Sequence, residues 1–537
     1  MHTPEWLPFV DETDRPDEPF VERAARWAID LSYREIPKPV RGAATIQLTS
    51  SVGAALWTRM QPVGARIERV ITTGTSTRSE TATFLGGKQL PPAETACGNA
   101  ALSGALEFDG RLLGGTTSPS CVFVPLAYAE TTDADGADLL VAQIAANEIT
   151  ARLGAAAAVG PFGGPNAAWM HAVGAAVGRG VLEGDGLETL ADAISIAVSA
   201  PSRPIERAVL GSDVGVWTIG RSIQTGIAAL DGARAGLSGR RDVVEAAAGL
   251  LKSVSPHPAE AYLSALGSRW HTETLSVAAA PGTPSVAAAT EAGLEIRSQF
   301  DRGRTTIDRV DVYGPHAMAS ANEGARQYLG DGQTPTAALV RSVPDAVART
   351  LVTGETVPGQ IDRDDERGAV ERVRERIRVH HDPDITLAAL RSAVPEGVEF
   401  ETVTGSVAAH VAKALGPARA LRNAPTVFRT GRRLETPPRT SEFERHIGAR
   451  VVVRTADGRA FEATVARPPG SAGVPPAEIR AVARSKCRKA LEALGCSEPN
   501  ARTRTDRLLT IDEAGRVRID RLLGEPATRG IAGNENT

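Results

Sequence analysis

Aromatic residues are scarce in this 537-residue chain, at 4% of the total. A core of stacked rings is therefore excluded, and the interior must be built from Ala, Val, Leu and Ile. Ala is the strongest helix former and lets backbones approach closely, so such a core favours packed helices. Cysteine is scarce as well. Cys97, Cys121, Cys487 and Cys496 are scattered without a CxxC pair, which argues against a disulfide framework or a zinc knuckle and fits a reducing compartment. There is no large basic block, and the net charge is −4, so no electrostatic footprint for nucleic acid is present. An anionic small molecule would need only two or three local cations. No stretch of about 20 uncharged apolar residues suits a bilayer. The opening MHTPEWLPFVDETDRPDEPF is acidic and proline-bearing, unlike a signal peptide. A cytoplasmic location with no membrane partner is the expectation.

What is present is the balance of an ordinary soluble protein, 42% hydrophobic and 23% charged. The length calls for two or three domains. In the first half, apolar Leu139, Ala142, Ala146, Ile149 and Leu153 alternate with polar Gln143, Asn147, Thr150 and Arg152 at helical spacing. Asp135-Gly136 marks the start of that helix and Gly154 its expected stop. Ala-rich segments near 167–182, 187–200, 221–235 and 241–253 predict further buried helices. Beyond about residue 270 the texture changes. Thr306–Tyr313 and Arg376–His380 read as strands, and Asp457-Gly458 between Arg450–Arg454 and Ala460–Val465 predicts a hairpin with both turn residues at positive φ. The Arg-rich, proline-containing stretch 383–448 reads as an irregular insertion. A last helix is expected from Pro475-Pro476 to Leu494, with Gly495 as its C-cap.

Five stretches, in order, resemble the MmgE/PrpD family, which includes 2-methylcitrate dehydratases and cis-aconitate decarboxylases. They are Ala96–Asp109, Pro119–Ala127, Asp138–Gly154, Gly220 and Gly226 with Gly236-Leu237-Ser238-Gly239, and Leu266-Gly267 with Trp270. The resemblance implies a mainly α, two-domain architecture, in which an all-helical large domain (1–267) is interrupted by a smaller α+β lid (268–470). A C-terminal helical return (471–537) completes it. It also implies a cofactor-free, lyase-like activity on a small carboxylate-bearing molecule, and a homodimer.

Several positions depart from the family pattern. Ser118 stands where the His of a His-Pro-Ser triplet is expected. Gly163–Ala167 lacks a histidine, Gly215 and Ser276-Val277 stand where lysines are expected, and Asp345 where a tyrosine is. The remaining candidates form a different set. Glu107, Asp109 and His171 could transfer protons, and Arg111 could clamp a carboxylate. Asn99, Thr117, Ser118, Trp217 and Arg221 could contact the substrate, with Thr116 beside them. His380-His381-Asp382 resembles a metal cluster, but successive strand residues point apart, so no metal is expected. Two readings stay open. One is a retooled lyase, isomerase, epimerase or cyclase, with a wet pocket lined by Glu107, Asp109, Arg111 and His171. The other is a non-catalytic binding or scaffold protein, with a collapsed or apolar cleft.

Overall fold

The computed structural model describes residues 18–73, 80–85, 87–157, 168–202, 204–255, 258–300, 306–329, 334–356, 364–392, 416–424 and 440–524. Its first half contains α1 (Phe20–Asp30), α2 (Lys38–Arg59), α3 (Pro62–Thr72), the strands β1 (Ala82–Phe84) and β2 (Lys88–Leu90), and α4 (Pro92–Gly104). After β3 (Gly110–Arg111) come α5 (Ser118–Ala129), α6 (Gly136–Ala156), α7 (Met170–Leu182), α8 (Leu187–Ser199), α9 (Glu206–Gly211), α10 (Val214–Arg234) and α11 (Leu250–Val254). Proline in the first turn starts α2, α3, α4 and α5, where its missing N–H costs nothing and its fixed φ suits a helix. All twelve residues of α5 are buried, so this helix lies at the centre of the body.

Helix α6 begins as its sequence indicates. Asp135 accepts from the Asp138 amide at 2.9 Å, and Asp138 accepts from the Asp135 amide at 3.2 Å, a reciprocal capping box. It does not stop at Gly154 but runs on to Ala156. The glycine serves close approach instead: a Cβ there would lie 2.2 Å from the Gly114 carbonyl oxygen. The expected helix over 241–253 is reduced to α11. The amides of Leu250 and Leu251 return to the carbonyls of Val243 and Val244 at 2.7 and 3.1 Å, folding the stretch into a compact reversal at Gly249. Conversely, α10 starts seven residues before the expected 221.

The second part holds β4 (Ser276–Val277), α12 (Pro284–Arg297), β5 (Ile307–Gly314), α13 (His316–Arg326), α14 (Thr336–Leu339), α15 (Val343–Thr353), α16 (Asp364–Arg374), β6 (Ile377–His381), α17 (Pro383–Ser392), α18 (Pro417–Arg422), β7 (Ala449–Thr455) and β8 (Ala460–Val465). A four-stranded sheet runs β6-β5-β7-β8, parallel between β5 and β6 and antiparallel elsewhere. Val310, Val312, Val451 and Val453 face Ala288, Ala289, Ala292 and Val347 of α12 and α15 in one core. The opposite sheet face takes His380, whose Nε2 lies 2.8 Å from Asp311, while His381 turns to Thr386 at 2.9 Å. Among the described residues no group is arranged to hold a metal.

The β7–β8 turn differs from the expected two-residue hairpin. The strands end at Thr455 and begin again at Ala460, with the Thr455 amide still donating to the Arg459 carbonyl at 3.0 Å, so four residues separate them and only Gly458 takes positive φ, at 85°. Asp457 instead accepts from the Thr455 hydroxyl and the Arg459 amide, as an Asx-type turn residue does. The stretches 393–415 and 425–439 of the expected insertion lie outside the described residues, as does Gly163–Ala167.

The chain then returns. Helix α19 (Pro476–Ala493), followed by α20 (Glu498–Leu509) and α21 (Ile519–Leu523), packs back on α2. Trp57 Nε1 donates to the Lys486 carbonyl at 3.2 Å. Helix makes up 61% of the structure and strand 9%, which places the fold in the mainly α class with a small mixed sheet. No helix among the described residues is long and apolar enough to cross a membrane.

A buried ion pair fixes the crossover between the two parts. Glu148 and Arg152, one turn apart on α6, have fully buried side chains. Arg152 donates to the carbonyls of Ser264, Ala265 and Arg269, and Glu148 accepts from the amides of His271 and Thr272. The segment they hold leads into β4, whose Ser276 pairs with Arg111 of β3.

Candidate functional site

A cavity of about 370 Å³ lies where these elements meet, within the size range of small-molecule sites. The helical body contributes Glu107, Asp109, Arg111, Thr116, Trp169 and His171, and the second part contributes Thr283, Arg341 and Arg445. The cleft is thus neither collapsed nor wholly apolar.

The Glu107–Arg111 turn is the centre of the charge arrangement. Glu107 has φ +48°, a left-handed conformation that is uncommon for a residue with a Cβ and recurs at functional sites. Its carboxylate is shared by Arg111 Nη2, at 3.0 Å, and Arg341 Nη2. Burial raises the Glu107 pKa, but the two guanidinium groups outweigh that and hold it below the usual value. Arg341 also donates to the Ala337 carbonyl at 2.9 Å. Arg445, partly buried, forms no ion pair among the described residues; its guanidinium makes a long, 3.5 Å contact with the Leu112 carbonyl and lies 5.6 Å from the centre of the Phe443 ring. Burial, and then the nearby Arg111, push it down to about 10. It remains a cation near neutral pH.

Asp109 is in the opposite situation. It is 1% exposed, and neither carboxylate oxygen meets a hydrogen-bond partner from another described residue. Buried polar atoms are nearly always paired, so an orphaned carboxylate on a cavity wall marks a place where a ligand can complete the set. Burial dominates its proton affinity and raises the pKa to about 7, against the opposing pull of Arg111 and Lys486. Trp169 Nε1, on the same wall, is likewise buried without a hydrogen-bond partner among the described residues.

His171 follows Met170 at the start of α7 and reaches the cavity at 4% exposure. Its Nδ1 lies 3.0 Å from Ser120 Oγ. Burial lowers its pKa to about 4, so the ring is neutral at pH 7.

The other sequence candidates lie outside the cavity lining, each with a physical reason. Asn99 accepts from the Leu85 amide at 2.8 Å and donates to the Thr83 carbonyl at 3.1 Å, tying β1 to α4. Thr117 and Ser118 belong to a buried polar knot. Gln47 Nε2 donates to Ser118 Oγ and Asn147 Oδ1 at 3.1 Å, Thr117 donates to Asn147 at 2.9 Å, and Ser118 donates to the Gly110 carbonyl at 2.8 Å. Trp217 packs on the helical core, and Arg221 is exposed to solvent. Their neighbours Gly215, Val216, Thr218 and Ile219 line the cavity, so α10 faces it one residue out of the expected phase. Ser342 caps α15 by accepting from the Asp345 amide at 3.3 Å, and the Asp345 carboxylate pairs with Arg374.

Arg341, Arg445 and Lys486 escaped the sequence reading. The first two lie in unremarkable loop contexts more than 200 residues from Glu107. Lys486 did carry a signal, for it interrupts the apolar stripe Ile479, Ala483, Cys487, Ala490 of α19.

Fold and site together define a mainly helical protein with a charge-lined cavity, walled by residues of the helical first half and of the later part that carries the mixed sheet. Residues 22–262 match the family model of the MmgE/PrpD N-terminal domain. The matched segment is thus similar to an MmgE/PrpD N-terminal domain; it carries Glu107, Asp109, Arg111 and His171 but ends before Arg341, Arg445 and Lys486. No curated protein matches the chain.

Proposed function

We propose that the protein is a lyase-type enzyme that moves a proton on a small, carboxylate-bearing substrate. The observation that carries this reading is the convergence of Asp109, His171 and three arginines on one cavity. Removing a proton beside a carboxylate requires a base near neutrality and fixed positive charge where the enolate forms. Asp109, raised to about 7, exists in both protonation states at pH 7 and so can take a proton and return it. Arg445, which has no carboxylate partner among the described residues, offers its guanidinium to the substrate carboxylate. Arg111 and Arg341, held by Glu107, stand ready to share a second acidic group. Neutral His171 supplies a hydrogen bond to a departing or shifting hydroxyl and can relay the second proton. Proton transfer of this kind needs no cofactor, and an isomerase or epimerase would use the same groups. Family resemblance further favours a homodimer.

Incubation with citrate, 2-methylcitrate and cis-aconitate, followed by proton NMR, tests the reading. Loss of water or CO₂ in the wild type and none in Asp109→Asn is the expected result. Turnover unaffected by Asp109→Asn removes Asp109 from the chemistry. Absence of any binding or turnover across a wider panel of di- and tricarboxylic acids overturns the substrate class.

A further inference from the structure

We infer that Lys486, on the returning helix α19, is the positioning residue of Asp109, anchoring the backbone beside it at the Phe108 carbonyl and adding a buried counter-charge to that of Arg111. The inference rests on the proton-transfer reading above and adds a residue to it.

The geometry is specific. Lys486 is 3% exposed, so its ammonium group has left water for the protein. Its Nζ donates to Ser50 Oγ of α2 at 2.8 Å and to the carbonyl of Phe108, the residue before Asp109. The same Nζ lies 4.1 Å from the centre of the Phe108 ring, a cation–π contact strengthened by desolvation. No carboxylate pairs with it directly among the described residues. Asp109, one residue further on, is the buried carboxylate whose oxygens find no partner. A buried cation is retained only if something compensates it, and Asp109, the residue after the carbonyl that Lys486 holds, is a buried carboxylate that acts on it through space.

Each group bears the mark of the other. Burial lowers Lys486 to about 7, with Asp109 and then Cys487 pulling it back up. Around Asp109, Arg111 and Lys486 lower the pKa while Glu107 raises it. The cavity side adds Arg341, Arg445 and neutral His171. Lys486 does not line the cavity, so it acts on a substrate only through Asp109. An Asp this deeply buried would bind its proton too tightly to act as a base at neutral pH without a cation behind it.

The test uses the full chain and no substrate. The C=O stretch of protonated Asp109, isolated as the infrared difference between wild type and Asp109→Asn, is followed against pH. The midpoint is expected near 7 in the wild type and higher by about 1 unit or more in Lys486→Met, the usual effect of losing a close opposite charge. Lys486→Arg, which keeps the charge, should leave it near the wild-type value. An unchanged midpoint in folded Lys486→Met overturns the inference. If Lys486→Met does not fold, the double variant Asp109→Asn/Lys486→Met decides. Folding of the double variant supports the pairing, because no lone buried charge remains. Failure of the double variant where Asp109→Asn folds shows a purely structural anchor and overturns it. Because no substrate is involved, failure of the acid assay bears on the proposed reaction and not on this coupling.

Discussion

Replacing Arg152 by Met should destabilise the protein by about 4 kcal/mol, with the effect concentrated at the crossover into the second part. The side chain is fully buried, and its guanidinium serves five acceptors: Glu148 Oε2 and carbonyl, and the carbonyls of Ser264, Ala265 and Arg269. Removing one member of a buried ion pair costs roughly 3–5 kcal/mol, because the other charge stays behind. Two effects adjust that figure in opposite directions. The Glu148 carboxylate keeps the amides of His271 and Thr272 and the Thr272 hydroxyl, at 2.7–2.9 Å, which softens the loss. Three carbonyls lose their donor, which deepens it by up to about 1 kcal/mol each where water cannot enter. Urea unfolding gives the total, and hydrogen–deuterium exchange over 264–277 gives its location. The double variant Glu148→Gln/Arg152→Met leaves no lone charge and should cost less than the two single changes added together. A cost below about 1 kcal/mol for Arg152→Met, or strict additivity in the double variant, refutes the idea that this pair holds the crossover. Because Ser276 pairs with Arg111, ligand affinity should fall with the same variants.

Asp109→Asn should lower turnover by about 100-fold or more, the usual scale of a lost proton-transfer group, while the protein stays folded. Its stability effect should depend on pH. A carboxylate whose pKa is raised from 3.8 to about 7 by folding contributes stability that is complete below 3.8 and lost as pH rises through 7. Urea midpoints should therefore favour Asp109→Asn over wild type more at pH 8 than at pH 5. His171 carries the opposite sign. Its folded pKa is depressed from 6.5 to about 4, so its contribution is present above 6.5 and lost as pH falls through 4. At about 1.4 kcal/mol per pH unit that depression corresponds to about 3.5 kcal/mol, and His171→Gln should remove most of that acid sensitivity in denaturant titrations at pH 7 and pH 4. Arg445→Met should raise KM for an acidic substrate by roughly 10-fold or more, the value of one charge-assisted hydrogen bond. Equal KM values for the two proteins would place the substrate carboxylate elsewhere.

The helical half was the more legible part of the sequence because its signals are local. Asp135 and Asp138 cap α6 within four residues, and the 3.6-residue pattern needs no knowledge of partners. The reversal at Gly249 was not legible, since an Ala-rich run looks the same whether it propagates or folds back. Glu107, Asp109 and Arg111 could be brought together because one motif spans them, whereas His171 stands six residues beyond the position where the motif expects a histidine. Asn99, Thr117 and Ser118 show the limit of that approach. A polar residue on a buried helix face has the same appearance whether it meets a ligand or, like Thr117, a neighbouring Asn147. Arg341 and Arg445 reach the cavity only through the tertiary fold, and no local spacing announces them. Lys486 was readable in principle as a charge on an apolar stripe, which is rare enough to ask what compensates it.

The charges around the cavity explain why its two carboxylates behave so differently although two residues apart. Glu107 lies between Arg111 and Arg341 and is held ionised, so it acts as a resident acidic group for those arginines. Asp109 is denied a direct partner, and its nearest cations, Arg111 and Lys486, act through space. One carboxylate is thereby fixed as a charge and the other left free to exchange a proton. A substrate carboxylate entering beside Arg445 would add negative charge next to Asp109 and raise its proton affinity further. Binding should therefore favour uptake of a proton by Asp109, and departure of an anionic product should favour its release. That coupling follows from Coulomb interactions in a poorly solvated site, and in the proposed reaction it would reset Asp109 at the end of each cycle.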